Sequence, residues 1–164
     1  MNQLKPVRIL AIAPTSRGFG YAVMEGPGRL IGFGNKSILK NKNTRTLVWS
    51  ERFIRRYEPG VLVLPDVNAT GAHRAGRIKT LHKEIGALAR KHQLKVKLIS
   101  GSKQRERLTG EVKGTKQAMA EMLAADFPNE LQSRLPPKRR AWESEDPRMD
   151  IFDAMGLAVA FWPK

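Results

Sequence analysis

The first forty residues alternate short apolar runs with polar, glycine-containing breaks. "RILAIA" (8–13) is an almost unbroken apolar run of the length of one buried strand. "PTSRG" then supplies a turn, and the apolar pattern resumes from Phe19 to Met24 until "EGPG" stops it. Leu30 to Ile38 reads as a third strand. Three strands joined by such short breaks predict a consecutive antiparallel meander.

The period then changes. Asn43 or Thr44 can cap a helix, Leu47, Phe53, Ile54 and Tyr57 recur at helical spacing, and Pro59 ends it. "GVLVLPD" follows as a continuous apolar strand of the kind covered on both faces. "GAHRAGRIKTLHKEIGALARKH" predicts a long amphipathic helix with Ala75, Ile78, Leu81, Ile85 and Leu88 facing inward. "LKVKLIS" is a fifth strand. The remainder is helical in pattern: a short helix over "SKQRERL", another from Lys116 to Phe127, a basic connector "SRLPPKRRAWESED", and a last helix opened by Asp146 and Pro147 as cap and first residue. This order predicts one α/β domain over 1–164, a mixed five-stranded sheet with helices on both faces. Neither an internal repeat nor a second domain is apparent.

Charge changes the picture most. Among 164 residues, 30 Lys and Arg stand against 15 Asp and Glu, a formal net charge of +15. Such an excess draws polyanions, and nucleic acid is the leading partner. An anionic membrane surface fits less well, because no basic amphipathic helix carries exposed Trp or Phe. Cysteine is absent, which excludes disulfides and thiolate metal sites and suits a reducing compartment. The amino terminus lacks a signal-peptide core and no apolar run is long enough to span a bilayer, so a cytoplasmic location is expected.

Three aspartates are candidates for chemistry. Asp150 and Asp153 lie three apart on one face of the last helix, and Asp66 ends the fourth strand. Gathered together, such carboxylates would bind Mg²⁺ or Mn²⁺ through oxygen and act on a phosphodiester. Their plain alternatives are dipole-favoured acids in a first helical turn and a loop-initiating Asp. His73, His82 and His92 share a helix with basic residues and have no metal-ligand spacing.

Taken together, "ILAIAPTSRGFGYAVME", "VLVLPDV", "KGTKQAMAEML" and "DIFDAMGLAVAF" resemble, in that order, the opening hairpin, central strand, lysine-bearing helix and terminal helix of the RuvC-type Holliday-junction resolvases. These belong to the RNase H-like superfamily. The resemblance implies an RNase H-like sheet, a three-strand meander plus two parallel strands, and a site of four acids using Mg²⁺ or Mn²⁺. Two of those acids fall on Asp150 and Asp153. The strand-one acid falls on Ala13, and the strand-four glutamate falls on Pro65, with Asp66 one residue beyond. The turn glycine is replaced by Thr15. Three departures together favour divergence over a single engineered change at Ala13. The candidate catalytic and metal-binding set is therefore Asp66, Asp150 and Asp153, with Glu145 or Asp146 as substitutes to be recruited.

The same resemblance puts the "KGTK" loop on a DNA-facing side. Candidate nucleic-acid contacts are Arg17 in the hairpin turn, Arg74, Arg77 and Lys79 early in the long helix, Lys103, Arg105 and Arg107 after strand five, Lys113 and Lys116 around the loop, and Lys138, Arg139 and Arg140 in the connector. Each taken alone has a solvated face as its plain reading; as clusters they would hold phosphates without reading sequence. Trp142 would stack on a base or serve the connector as core or hinge. The leading expectation is a protein that binds branched or duplex DNA through a basic cleft, with a degenerate nuclease site and a role in recombination or repair. The alternatives are an active Holliday-junction endonuclease with rearranged carboxylates, and a basic protein associated with structured RNA. Resolvases of this type act as dimers, so a homodimer is a further expectation.

Overall fold

A computed structural model describes residues 6–69, 75–111 and 113–163. The meander forms as its pattern predicts: β1 is Arg8–Pro14, β2 Gly18–Glu25 and β3 Leu30–Ser37. Then follow α1 (Lys42–Tyr57), β4 (Val61–Pro65), α2 (Gly76–Lys91), β5 (Lys95–Ile99), α3 (Gly101–Thr109), α4 (Lys116–Asp126), the single turn α5 (Pro128–Leu131) and α6 (Met149–Phe161). The strands lie in the order β3-β2-β1-β4-β5, with β1 antiparallel to β2, β2 antiparallel to β3, and β4 parallel to both β1 and β5.

Alternation along β1 divides the core in two. Leu10 and Ile12 face α1 and α2, in a cluster with Phe53, Ile54, Leu81 and Ile85. Ile9, Ala11 and Ala13 face the other side, in a cluster with Leu123, Ile151, Met155 and Ala158 of α4 and α6. Helix α6 is apolar almost all round and lies under β1 and β2, which is why it reads as a buried helix with acids only near its start. The approach is close: a Cβ on Gly20 would sit 1.8 Å from the Asp150 carbonyl oxygen. Only glycine at that position lets β2 and the first turn of α6 touch.

Three helix starts differ from the pattern by two or more residues. α2 begins at Gly76, with Ala75 extended and exposed as its cap rather than on the inward stripe. α1 begins at Lys42, because Asn41 adopts a left-handed conformation (φ 56°) and turns the chain into the helix two residues early. α6 begins at Met149 rather than Pro147. The Asp146 side chain does accept from the Arg148 backbone N–H at 2.9 Å, and its carbonyl accepts from Met149 N–H at 2.9 Å. Those bonds close a separate turn that leads into the helix. No helix among the described residues is long and apolar enough to cross a membrane.

Candidate functional site

Strands β1, β4 and β5 are parallel to one another, so their carboxyl ends share one edge of the sheet, where open α/β folds collect their functional groups. The first turn of α6 meets that edge through Gly20, the neighbour of Ala13 across the β1–β2 ladder. Ala13 is 3% exposed and lies on the α6 side of the sheet. A carboxylate there would face the α6 acids; the methyl group fills core instead.

Three carboxylates do converge. Glu145, Asp150 and Asp153 each present an oxygen such that these atoms lie within 4.8 Å of one another. Asp150 is fully buried. Its Oδ2 accepts from the Thr15 hydroxyl at 3.0 Å, and its Oδ1 accepts from the Arg17 guanidinium. The same Arg17 nitrogen donates to Glu145 Oε1 at 2.8 Å. Lys116 Nζ completes the ring, 3.4 Å from Glu145 Oε2 and 3.5 Å from Asp153 Oδ1. Two fixed cations therefore face three acids.

The electrostatics follow from depth. Burial pushes the Asp150 carboxyl above the usual aspartate range, against the opposing pull of Arg17 and the Thr15 hydroxyl. For Glu145 burial acts in the same upward sense, but the Lys116 and Arg17 charges outweigh it and hold the carboxyl below the ordinary glutamate range. Burial works against the Arg17 charge, yet its bonds to Asp150 and Glu145 prevail and hold it still more firmly protonated. Guanidinium cannot be deprotonated in a protein, so Arg17 is a permanent cation inside the cluster.

The turn carrying Arg17 is held from the other side as well. Arg77 donates to the Thr15 carbonyl at 3.2 Å and to Asn43 Oδ1 at 2.8 Å, and Lys42 Nζ donates to the Ser16 carbonyl at 2.6 Å. Thr15, which as a neutral residue is a poor stand-in for a ligating acid, thus serves as a hydrogen-bond donor to one.

Of the predicted acids, Asp150 and Asp153 are brought together and Asp66 is not part of their group. The Asp66 N–H extends the ladder to the Ile99 carbonyl, and its Oδ1 accepts from the Asn68 N–H at 3.1 Å, the Asx turn of a loop-initiating aspartate. Glu145 takes the third place. Its sequence signal is the acidic "ESED" just ahead of the helix, but which of those acids turns inward depends on the path of the connector. Asp146 is tied to Arg148.

A pair of divalent ions, which the family resemblance implies, fits this donor set poorly, whereas a single ion would have three candidate ligands in Glu145, Asp150 and Asp153. A pair of ions needs bridging carboxylates, and position 13 offers none. Each oxygen of Asp150 already accepts one hydrogen bond within the protein, and the other two acids face Arg17 and Lys116, whose charges would oppose further cations.

The predicted basic contacts separate into groups. Arg17, Arg77 and Lys116 sit at the acid cluster or the turn beside it, each with partners inside the protein. Lys103 is exposed in the first turn of α3, just past the end of β5, and Lys79 and Lys113 are exposed on α2 and ahead of α4. Lys138, Arg139 and Arg140 are exposed along the connector, and Lys138 and Arg139 line, with Lys116, Glu145, Pro136 and Met149, a cavity of about 780 Å³ next to the acids. Arg105 is half-buried on α3. Arg107 points elsewhere: its guanidinium donates to the Ala160 carbonyl, near the opposite end of α6 from the acids. Arg74 and His73 lie outside the described residues.

No protein-family model and no curated protein matches the chain. Solved structures do. RuvC from Thermus thermophilus superposes with a TM-score of 0.68 at 15% identity, over 94% of this chain and 92% of that one. The same protein in complex with a Holliday junction substrate gives 0.67 at 16% over the same shares. The yeast mitochondrial Holliday junction resolvase Ydc2 gives 0.62 at 13%, over 98% of this chain and 80% of that one. With its meander, its two parallel strands and its acid-bearing last helix, the chain has the RNase H-like fold of the RuvC-type Holliday junction resolvases.

Proposed function

We propose that this protein binds branched or duplex DNA through the basic edge around its acid cluster, and that the cluster is a degenerate nuclease site. One observation carries the second half of this reading: the buried Asp150 is paired with a permanent cation, Arg17, and with the Thr15 hydroxyl, opposite a core alanine at position 13 that offers no carboxylate. The first half rests on the net charge of +15, on cations gathered at the edge where this fold collects function, and on the likeness to resolvases solved with junction DNA. Arg17 and Lys116 then perform electrostatically what a bound ion would: they let three carboxylates coexist and fix the β1–β2 turn against α6. The DNA backbone would meet a preformed surface, with no ion needed to assemble it.

Gel shifts on a four-way junction, a blunt duplex and a single strand across a salt series test the binding. Salt-sensitive retention in EDTA, strongest for the junction, is expected; no retention at moderate ionic strength would sink the proposal. Labelled junctions incubated with Mg²⁺ or Mn²⁺ test the chemistry and should stay intact. The convergence of Glu145, Asp150 and Asp153 is what favours the rival reading, an active endonuclease in which Glu145 replaces Asp66. Cleavage by the wild type that disappears in Asp153→Asn would establish that rival.

A further inference from the structure

The connector between the short turn α5 and α6 carries an aromatic residue that the fold does not use. Trp142 is 78% exposed, unlike Trp49 and Trp162, which are partly buried against the two cores. A core role does not fit a side chain so open to water. It is nevertheless dressed: the Arg140 guanidinium lies 5.6 Å from the ring centroid, and Glu143 holds Arg140 from the side at 3.8 Å. Next to it stand Lys138 and Arg139, exposed, with no ion-pair partner among the described residues. Pro136 and Pro137 stiffen the chain before this group and Pro147 stiffens it after. The segment borders the cavity that opens beside Lys116 and Glu145.

An exposed indole beside exposed cations has a matching ligand chemistry. Single-stranded nucleic acid offers a π-face on every base and one negative charge per nucleotide. Aromatic side chains in a basic groove take both, with arginine adding a cation–π contribution. A base inside a duplex keeps its faces against its neighbours, so only an unpaired one can be taken. We infer that Trp142, backed by Arg140 and flanked by Lys138 and Arg139, is a stacking platform for an unpaired nucleotide of branched DNA. The strand would continue from there toward the acid cluster. This rests on the DNA-binding reading above and adds a preference for unpaired segments and the residues responsible.

The test uses the whole chain with three probes of equal length: a blunt duplex, a duplex with splayed single-stranded ends, and a single strand. Binding is followed by tryptophan fluorescence and by anisotropy of a labelled probe. Wild type should show quenching with the splayed and single-stranded probes, absent in Trp142→Phe. Trp142→Ala should weaken those two probes roughly tenfold while changing the blunt duplex less than twofold. Trp142→Phe should keep most of the affinity, since a smaller ring still stacks, and matching thermal unfolding curves would show that both variants fold. Equal affinity of wild type and Trp142→Ala for the splayed probe would overturn the platform and leave DNA binding standing. Equal losses on all three probes would also overturn it, in favour of a general contact. Failure of the wild type to bind any probe would remove the DNA-binding reading and the platform together.

Discussion

Asp150 and Glu145 share one guanidinium yet should respond to pH in opposite senses. Asp150 has its folded-state pKa raised, with burial the leading cause, so its contribution to stability is complete below the unfolded value and declines as pH rises through the folded one. Glu145 has its value lowered: burial opposes, but Lys116 and Arg17 prevail. Its contribution is complete above the unfolded value and is lost as pH falls through the folded one. Glu145→Gln should therefore cost stability at pH 7 and cost progressively less below about pH 4, where the wild-type carboxyl also becomes neutral. Arg17→Ala is the harsher change, because it strands a buried carboxylate. A loss of about 3 kcal/mol at neutral pH is expected. That loss should shrink in acid, since a protonated Asp150 can stay buried without its cation. Urea unfolding of the three proteins across the acid range checks both trends. A penalty for Arg17→Ala that is constant with pH would mean that Asp150 does not depend on Arg17 for its charge.

Between elements, the contact that positions the cluster is made by a missing side chain. At Gly20, β2 lies so near α6 that an added Cβ would sit 1.8 Å from a backbone oxygen, which cannot rotate away. Gly20→Ala should destabilise by about 3 kcal/mol, at the upper end of overpacking costs. Gly60→Ala, where nothing lies within 4 Å and φ is ordinary, should stay within about 0.5 kcal/mol of wild type by thermal unfolding. The strands and helices themselves were legible because their signals are local: runs of apolar residues, period changes, glycine and proline breaks. The meander, the covered strand β4 and the inward stripe of α2 through Ile78, Leu81 and Ile85 all follow from them. What was not legible is tertiary. Asp66 and Glu145 are both acids at element boundaries. Only the path of the connector decides that Glu145 turns toward Asp150 while Asp66 closes its own loop. Arg107 is a similar case, one basic residue among several on α3 until its guanidinium is seen on the last turn of α6.

Across the whole molecule, a charge of +15 is not by itself a binding site. Some of the cations work internally: Arg8 holds Glu25, Arg77 clamps the β1–β2 turn, and Arg107 sits on a helix carboxyl end, where positive charge is favoured. Others, such as Lys138 and Arg139, are exposed beside the acid cluster with no internal ion pair among the described residues. Counterion release distinguishes the two kinds, since each phosphate neutralised adds about 0.9 to the slope of log K against log salt for duplex DNA. The Lys138→Ala/Arg139→Ala double variant should bind the splayed probe with a slope about 1.4 units shallower than wild type, since each phosphate of an unpaired strand contributes about 0.7, while its unfolding midpoint stays put. Arg107→Ala should do the reverse, lowering the unfolding midpoint and leaving the salt slope unchanged. Equal shallowing in both variants would mean that DNA is drawn by the charge of the whole surface. Only the expected contrast would place the binding surface at the carboxyl edge of the sheet, where the fold has assembled its three acids and two fixed cations.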